Sequence, residues 1–417
     1  MNKLFAVVLS VLFVVAVAAP LMATDARQES MAFVGNYIED DYNIFTWYAT
    51  LPSYSNMVWI GMQDLDRDDG NDMFYYLGAS YGLGSENKYG TVAMFLYDYS
   101  PGLNPIGYNP WEEGPGVFSQ PLDNKFTLLY AYPMEKMSLG LFFSRADRAA
   151  KIEGEALTPS QEYHYAYTTL GAGFRFDMGE KAYTDVAFDI NFGSYKDNFS
   201  EYSGYGEVTA DANKMYGFRG RMFYQWNETI TWVPYANFRM FDFRLKADST
   251  DFADTHFGDK GMMFNFGLGA NIKVNEDNLL VFALEPYGYE KYEPSEPPAG
   301  ETGEFKVTTM PRLFLALESD VKDWLTLRAG ASKDLYKDES KHETEGVVPD
   351  KSTFTGTSFD FYLGLGFHVA DFDIDAVINN EVPMHLGYWL TGYGRDYYDG
   401  PSNNSLPILV LTAAYHF

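Results

Sequence analysis

The chain has no cysteine among its 417 residues, so it carries neither a disulfide framework nor a thiolate metal site. Histidine is scarce, with six in all: His164, His256, His342, His368, His385 and His416. No GxSxG, HExxH or glycine-rich phosphate loop occurs, which removes the usual signatures of hydrolases, zinc proteases and nucleotide enzymes. Positive charge is also short: 30 Lys and Arg stand against 58 Asp and Glu, a net charge of −28. Such a chain repels nucleic acid and anionic surfaces. Long apolar runs are missing except for one, Leu4 to Ala19. A helical membrane protein needs several runs of about 20 residues.

That single run reads as an export signal. Lys3 supplies a positive start, and small residues follow at Ala16, Ala18, Ala19 and Ala23. Cleavage after Ala18 or Ala23 fits, Ala23 better. Residues 1–23 are therefore expected to be a signal peptide, with no helical span in what remains.

What the chain does have is aromatic residues and alternation. It holds 33 Tyr and 33 Phe. The mean hydropathy is below zero because apolar and polar positions alternate and cancel. From residue 56 onward, period-2 runs are joined alternately by short turns and longer polar loops. The short turns are 85–88, 133–136, 177–181, 227–228, 275–278, 319–322 and 370–371. The long loops are 100–122, 147–162, 197–212, 246–260, 292–303, 337–352 and 383–404. The pattern predicts sixteen strands over 56–417, with fourteen as the alternative because the first pair is the weakest.

Parity assigns the two faces. In 353–369, Phe359, Phe361, Leu363, Leu365, Phe367 and Val369 share one face, while Asp360, Tyr362 and His368 share the other. In 182–196, Val186, Phe188, Ile190 and Phe192 oppose Asp185, Asp189 and Asn191. Only one such face tolerates lipid, since a charge at mid-membrane costs roughly 2–4 kcal/mol. The chain ends Leu409, Leu411, Ala413, Tyr415, Phe417 on a single stripe. This stripe and its terminal Phe resemble the closing strand of a bacterial outer-membrane β-barrel, a fold with short periplasmic turns and long outer loops. The resemblance implies an all-β transmembrane antiparallel barrel in the cell outer membrane. It also implies outer-membrane lipid and the barrel assembly machinery as partners, with no nucleic acid.

Residues 24–55 do not alternate. The stretch from Glu39 to Leu51 reads as a capped short helix or plug. Asp40-Asp41 followed by Trp47-Tyr48-Ala49-Thr50-Leu51 resembles the N-terminal segment of the FadL/PorV-like outer-membrane superfamily, although the Asn-Pro of that motif is missing. The resemblance implies a segment inside the lumen, with Trp47, Tyr48 and Leu51 as plug residues, and a barrel usually of fourteen strands.

Inward charges are the candidate functional residues. By parity they are Arg175, Asp185, Asp189, Arg219, Arg221, Arg239, Arg312, Arg328, Asp373, Asp375 and Glu381. A charged lining suits a water-filled pore, and the same groups could equally pair across strands and satisfy the wall. His368 and Asp373 should face each other across the turn at 370–371, as a solvated rim pair rather than a catalytic one. The acidic run at Asp248, Asp251 and Asp254 offers oxygen ligands to divalent cations but lacks an EF-hand spacing.

The expectation is a porin-like channel for passive transport of small solutes, modestly cation-preferring, with no cofactor, no resident metal and no enzymatic activity. FadL-like uptake of hydrophobic ligands is one alternative, and a surface barrel that docks a protein partner is another. A homotrimer is compatible with the sequence.

Overall fold

The computed structural model describes residues 25–64, 73–100, 122–152, 161–197, 207–248, 255–257, 259–294, 301–344, 350–378 and 408–417. The residues 1–23 expected to be a signal peptide, Glu381, and most of the loops expected at 100–122 and 383–404 lie outside them.

The strands run β1 (Met57–Asp64), β2 (Met73–Gly82), β3 (Thr91–Ser100), β4 (Leu122–Met134), β5 (Met137–Ile152) and β6 (Gln161–Asp177). Then come β7 (Ala182–Asp197), β8 (Glu207–Gln225), β9 (Ile230–Asp248), β10 (Thr255–Phe257), β11 (Asp259–Asn275) and β12 (Asn278–Pro294). The last are β13 (Glu301–Lys322), β14 (Leu325–Thr344), β15 (Asp350–Val369), β16 (Phe372–Ile378) and β17 (Ile408–His416). All neighbours are antiparallel. The sheet closes because β1 pairs on one side with β2, Met57 opposite Ser80, and on the other with β17, Met57 opposite His416. Strand β10 continues the ladder of β11 along β9, so the wall has sixteen staves. This is the expected count, and not the fourteen that the superfamily resemblance implied. Closure gives every stave a laddered neighbour on both sides, and a strand in lipid cannot leave either side open.

The faces follow parity. Leu141, Phe188, Phe218, Phe266, Phe282, Leu315 and Phe359 are outward and more than a third exposed. Asp185, Asp189 and Asn191 are inward and buried. Trp226, Trp324, Phe372 and Phe417 form an exposed aromatic fringe at the short-turn end, where amphipathic rings suit the membrane–water boundary. The protein is therefore a transmembrane barrel of the outer-membrane type. No helix among the described residues is long and apolar enough to cross a membrane, so the strands do the crossing.

Two expectations need correction. The long connections are shorter than parity suggested, because ladders continue where one face ceases to be apolar. Strand runs into both ends of the loops expected at 147–162, 197–212, 246–260, 292–303 and 337–352, whose middles lie outside the described residues, and β13 reaches 22 residues. A spanning strand needs only about 9–11 residues, so β13 projects well past the lipid. There both faces meet water, and the first six residues of β15 are all exposed. Backbone pairing survives the loss of alternation, so a polar run does not by itself mark a loop. The sixth short turn lies at 323–324 rather than 319–322, after an irregularity between Asp320 and Lys322.

The N-terminal segment folds inside the lumen. It comprises helix α1 (Asp25–Ser30) and 3-10 turns at Val34–Asn36, Asp41–Phe45 and Tyr48–Tyr54. The expected capped helix is thus a 3-10 turn, whose cap Asp40 accepts from the Tyr42 amide at 2.9 Å. Met31, Val34, Tyr37, Ile38, Ile44, Trp47, Tyr48 and Leu51 are buried against inward residues such as Trp59, Phe95, Phe223 and Val281. The main apolar core of the protein therefore sits between this segment and the wall.

Candidate functional site: the inner segment and the cavity beside it

Residues 25–54 are tied to the wall around its circumference. On one side, Arg221 of β8 donates from Nη1 to the carbonyls of Gly35 at 2.9 Å, Asn36 at 3.3 Å and Ile38 at 2.9 Å. Its Nε donates to Asp185 at 3.0 Å, and its guanidinium lies 4.6 Å from the centre of the Trp47 ring. Asp185 stands directly opposite both Arg175 on β6 and Arg221 on β8. Arg175 in turn reaches Glu39 of the inner segment at 3.0 Å. Three adjacent staves thus present an Arg–Asp–Arg row whose outer cations hold the segment's backbone and side chains.

A second anchor lies across the lumen. Arg27 makes a two-pronged contact with Glu318 of β13, at 2.7 and 2.8 Å, and another with Asp40 at 2.7 Å. Glu318 also accepts from Arg328 of β14 at 2.6 Å, and Arg328 pairs with Asp375 of β16. Further ties come from Trp59 of β1, whose indole donates to Asp41 at 2.9 Å, and from Asn271 of β11, which donates to the Tyr37 carbonyl at 2.8 Å. Burial beneath the wall, and then the charge of Asp40, push the Asp41 carboxyl well above the usual carboxylate range.

Close approach is made possible by missing side chains. A Cβ on Gly140 of β5 would lie 2.3 Å from the Tyr48 carbonyl carbon, and one on Gly330 of β14 would lie 2.4 Å from the Ala32 amide nitrogen. Glycine at these two positions lets the segment's backbone lie directly on the sheet.

The inward charges identified from the sequence thus divide by depth. Arg175, Asp185, Arg221, Arg328 and Asp375 touch the inner segment or the residues that hold it. Arg219 pairs with Asp189. Arg312 pairs with Asp334 at 2.7 Å and stands 3.9 Å from Glu285. Arg239 and Arg312 line a cavity of about 430 Å³ above the segment, with Phe33, Tyr289 and Phe314 among its walls. Trp47, Tyr48 and Leu51 are 1%, 2% and 0% exposed at the heart of the segment.

Asp373 lies at the short-turn rim. Its carboxylate sits 2.6 Å from His368 Nδ1 and 2.9 Å from His416 Nε2. Thr326 lies 3.0 Å from His368 Nε2, but its hydroxyl donates to Asp320 at 2.5 Å and is almost fully buried. A hydroxyl held by a carboxylate and shielded from solvent is not a free nucleophile. The loop holding Asp251 and Asp254 lies outside the described residues. Among the described residues, no three His, Asp or Glu groups are arranged to hold a metal.

Sequence reasoning missed Arg27, Glu39, Tyr37, Glu285 and Glu318. Parity could have found Glu285 and Glu318, since both share the inward face of apolar-alternating strands. Nothing local marks the others, whose ties to the wall reach partners more than 100 residues away.

No protein-family model matches the chain, and no curated protein sequence matches it. Among solved structures, the chain is similar to CdiB from Escherichia coli, at 9% identity and TM-score 0.45, over 86% of this chain and 62% of that one. It is also similar to a Pseudomonas aeruginosa FadL homologue, at 10% identity and TM-score 0.45, over 96% and 100%. The Pseudomonas putida toluene transporter TodX matches at 11% identity and TM-score 0.39, over 95% and 96%. The chain spans 62% of the length of CdiB and 61% of the siderophore receptor PirA from Acinetobacter baumannii. The fold assignment rests on the closed ladder itself.

Proposed function

We propose that the protein is an outer-membrane channel for passive entry of small solutes, closed at rest by residues 24–55 and modestly cation-preferring when open. The observation that carries this is the combination of an anchored segment across the lumen with a solvent-sized vestibule directly above it. A barrel that only filled its own interior would need no such cavity. The anchors are ion pairs, hydrogen bonds and buried apolar contacts rather than covalent links, and none of them is a rung of the barrel's ladder, so release of the segment would leave that ladder intact.

Export would use the signal at 1–23, and assembly would read the strand that ends in Phe417. Charge supports the cation preference. The chain carries −28 overall, and on the projecting wall Asp338 stands without an ion-pair partner among the described residues, while Glu339 and Glu343 pair with Lys337 and Lys341. A negative mouth enriches cations over a screening length of about 10 Å at 0.1 M salt. The acidic rim would also attract divalent cations.

A second reading has its own support. Phe33, Phe264, Phe314, Tyr235 and Tyr289 give the vestibule an aromatic lining, which favours uptake of solutes with apolar bodies.

The test is conductance in a planar bilayer, for the full chain and for a chain lacking residues 24–55. The full chain should be mostly closed, and the deletion should open it with a cation-selective reversal potential that weakens as salt rises. Neutralising Asp248, Asp251 and Asp254 together should reduce that preference. Equal conductance of the two chains would sink the plugged-channel reading. An anion-selective reversal potential at low salt would sink the cation preference.

A further inference from the structure

The vestibule holds polar atoms for which the protein supplies no partner. Arg239 Nε is buried without a hydrogen bond, and among the described residues no carboxylate pairs with Arg239. It stands opposite Gly217 on β8, two residues from Arg219, whose single ion-pair partner among the described residues is Asp189. Two guanidinium groups and one carboxylate leave this wall one positive charge in excess. A cation in a half-buried site stays costly until an anion reaches it.

Across the cavity the sign reverses. Asp334 Oδ2 accepts from Arg312, but Asp334 Oδ1 is buried and unused. Asp360 lines the same wall and is exposed, without a partner among the described residues. Asn237 gives its amide N–H to Asn265 at 3.1 Å, and its own carbonyl oxygen is buried and unused. The cavity therefore offers a charged donor on one wall, carboxylate oxygens on another, and an amide acceptor near the donor. Its floor is the ring of Phe33, half exposed and packed edge-on to Tyr362 at 5.6 Å. Phe33 has a left-handed backbone, φ 58° and ψ 32°, which a bulky residue adopts only at a cost of about 1–3 kcal/mol. That conformation holds an aromatic surface up into the cavity.

We propose that the vestibule is a binding site for a zwitterionic solute of the short-peptide class. The peptide carboxylate would lie against Arg239, its amide N–H against Asn237 Oδ1, its ammonium against Asp334 and Asp360, and an apolar side chain on Phe33. A volume of about 430 Å³ is within the usual range for small-ligand sites. A net-neutral zwitterion also passes an acidic mouth that would repel a simple anion. The site is also wired to the plug. Asn237 bonds Asn265, Asn265 bonds Glu285 at 3.1 Å, and Glu285 accepts from the Tyr37 hydroxyl at 2.8 Å. This inference rests on the transport reading by naming its substrate class.

The experiment is calorimetric titration of the purified full chain in detergent with alanyl-phenylalanine, its N-acetyl form, its C-terminal amide, and glucose as a neutral control. Charge-assisted bonds of this kind lead to the expectation that the free dipeptide binds and that each cap weakens binding about tenfold. Arg239→Gln should bind the free dipeptide as weakly as the parent binds the amide, and should not respond to amidation. Asp360→Asn should lose part of the response to N-acetylation. Resistance to SDS before heating reports that each barrel is folded, and Arg239→Lys serves if the glutamine variant is not. Equal affinity for free and acetylated dipeptide would leave a plain anion site and overturn the proposal, as would absence of binding or an unaltered Arg239→Gln. Uptake into proteoliposomes separates the two readings. Binding without uptake sinks transport, whereas uptake without end-dependent binding sinks this site alone.

Discussion

Arg221 and Trp47 are stacked, guanidinium on indole, at 4.6 Å inside the barrel, while the same guanidinium holds three backbone carbonyls of the inner segment. The arginine side chain is fully buried, with Asp185 as its counter-charge. Arg221→Met keeps the bulk and removes every one of these donors. Losing one member of a buried pair costs roughly 3–5 kcal/mol. The segment should therefore detach more often, seen as more channel openings and faster proteolysis of residues 25–54. The barrel itself should keep its resistance to SDS. Unchanged openings would show that this arginine does not hold the segment.

Gly140 offers an independent route to the same end. Its absent Cβ leaves room for the Tyr48–Ala49 backbone, and neither the strand nor that backbone can shift cheaply. Gly140→Val should displace the segment and raise conductance. Gly173→Ala is the control, because its Cβ would meet the segment only at 3.4 Å. If both variants conduct like the parent, the fit is looser than described.

Acidity should tighten the plug. The docked Asp41 carboxyl titrates well above its usual range, first through burial and then through Asp40, with Asp375 adding a smaller push. A carboxyl whose docked pKa is raised docks best when protonated. The contribution of Asp41 to docking is therefore full below about pH 4, the ordinary carboxylate value, and weakens as pH climbs towards the raised one, a range in which Glu318, paired with Arg27 and Arg328, stays ionised. Open probability should rise with pH across that window. Asp41→Asn keeps an acceptor for the Trp59 indole and removes the charge, so it should close the channel more firmly at neutral pH and flatten the response. A parent whose openings decline with rising pH would contradict the assignment.

The lipid face is testable by charge. Leu315 is 51% exposed on β13, and Leu363 shares the outward face of β15. Arginine at either position should cost about 2–4 kcal/mol of folding free energy in a bilayer near the midplane. Denaturant unfolding in vesicles measures this, and two variants as stable as the parent would show that the faces are misassigned.

The sequence by itself determined the wall. Lipid accepts one face of a strand and rejects the other, so the period-2 pattern alone reveals staves, faces, sixteen-fold count and the end that carries the short turns. Asp185, Asp189, Asp373 and Asp375 were readable as inward for that reason. The rule lapses where both faces meet water, and there the ladders at 147–152 and 337–344 outran the alternation that would have marked them. What the inward charges face was decided only by tertiary structure. Arg221 and the Gly35 carbonyl are 186 residues apart, and Arg27 and Glu318 are 291 apart. No periodicity links such partners. A lumen can be filled by water or by a distant part of the same chain, and a charged lining is compatible with either until the barrel closes around it.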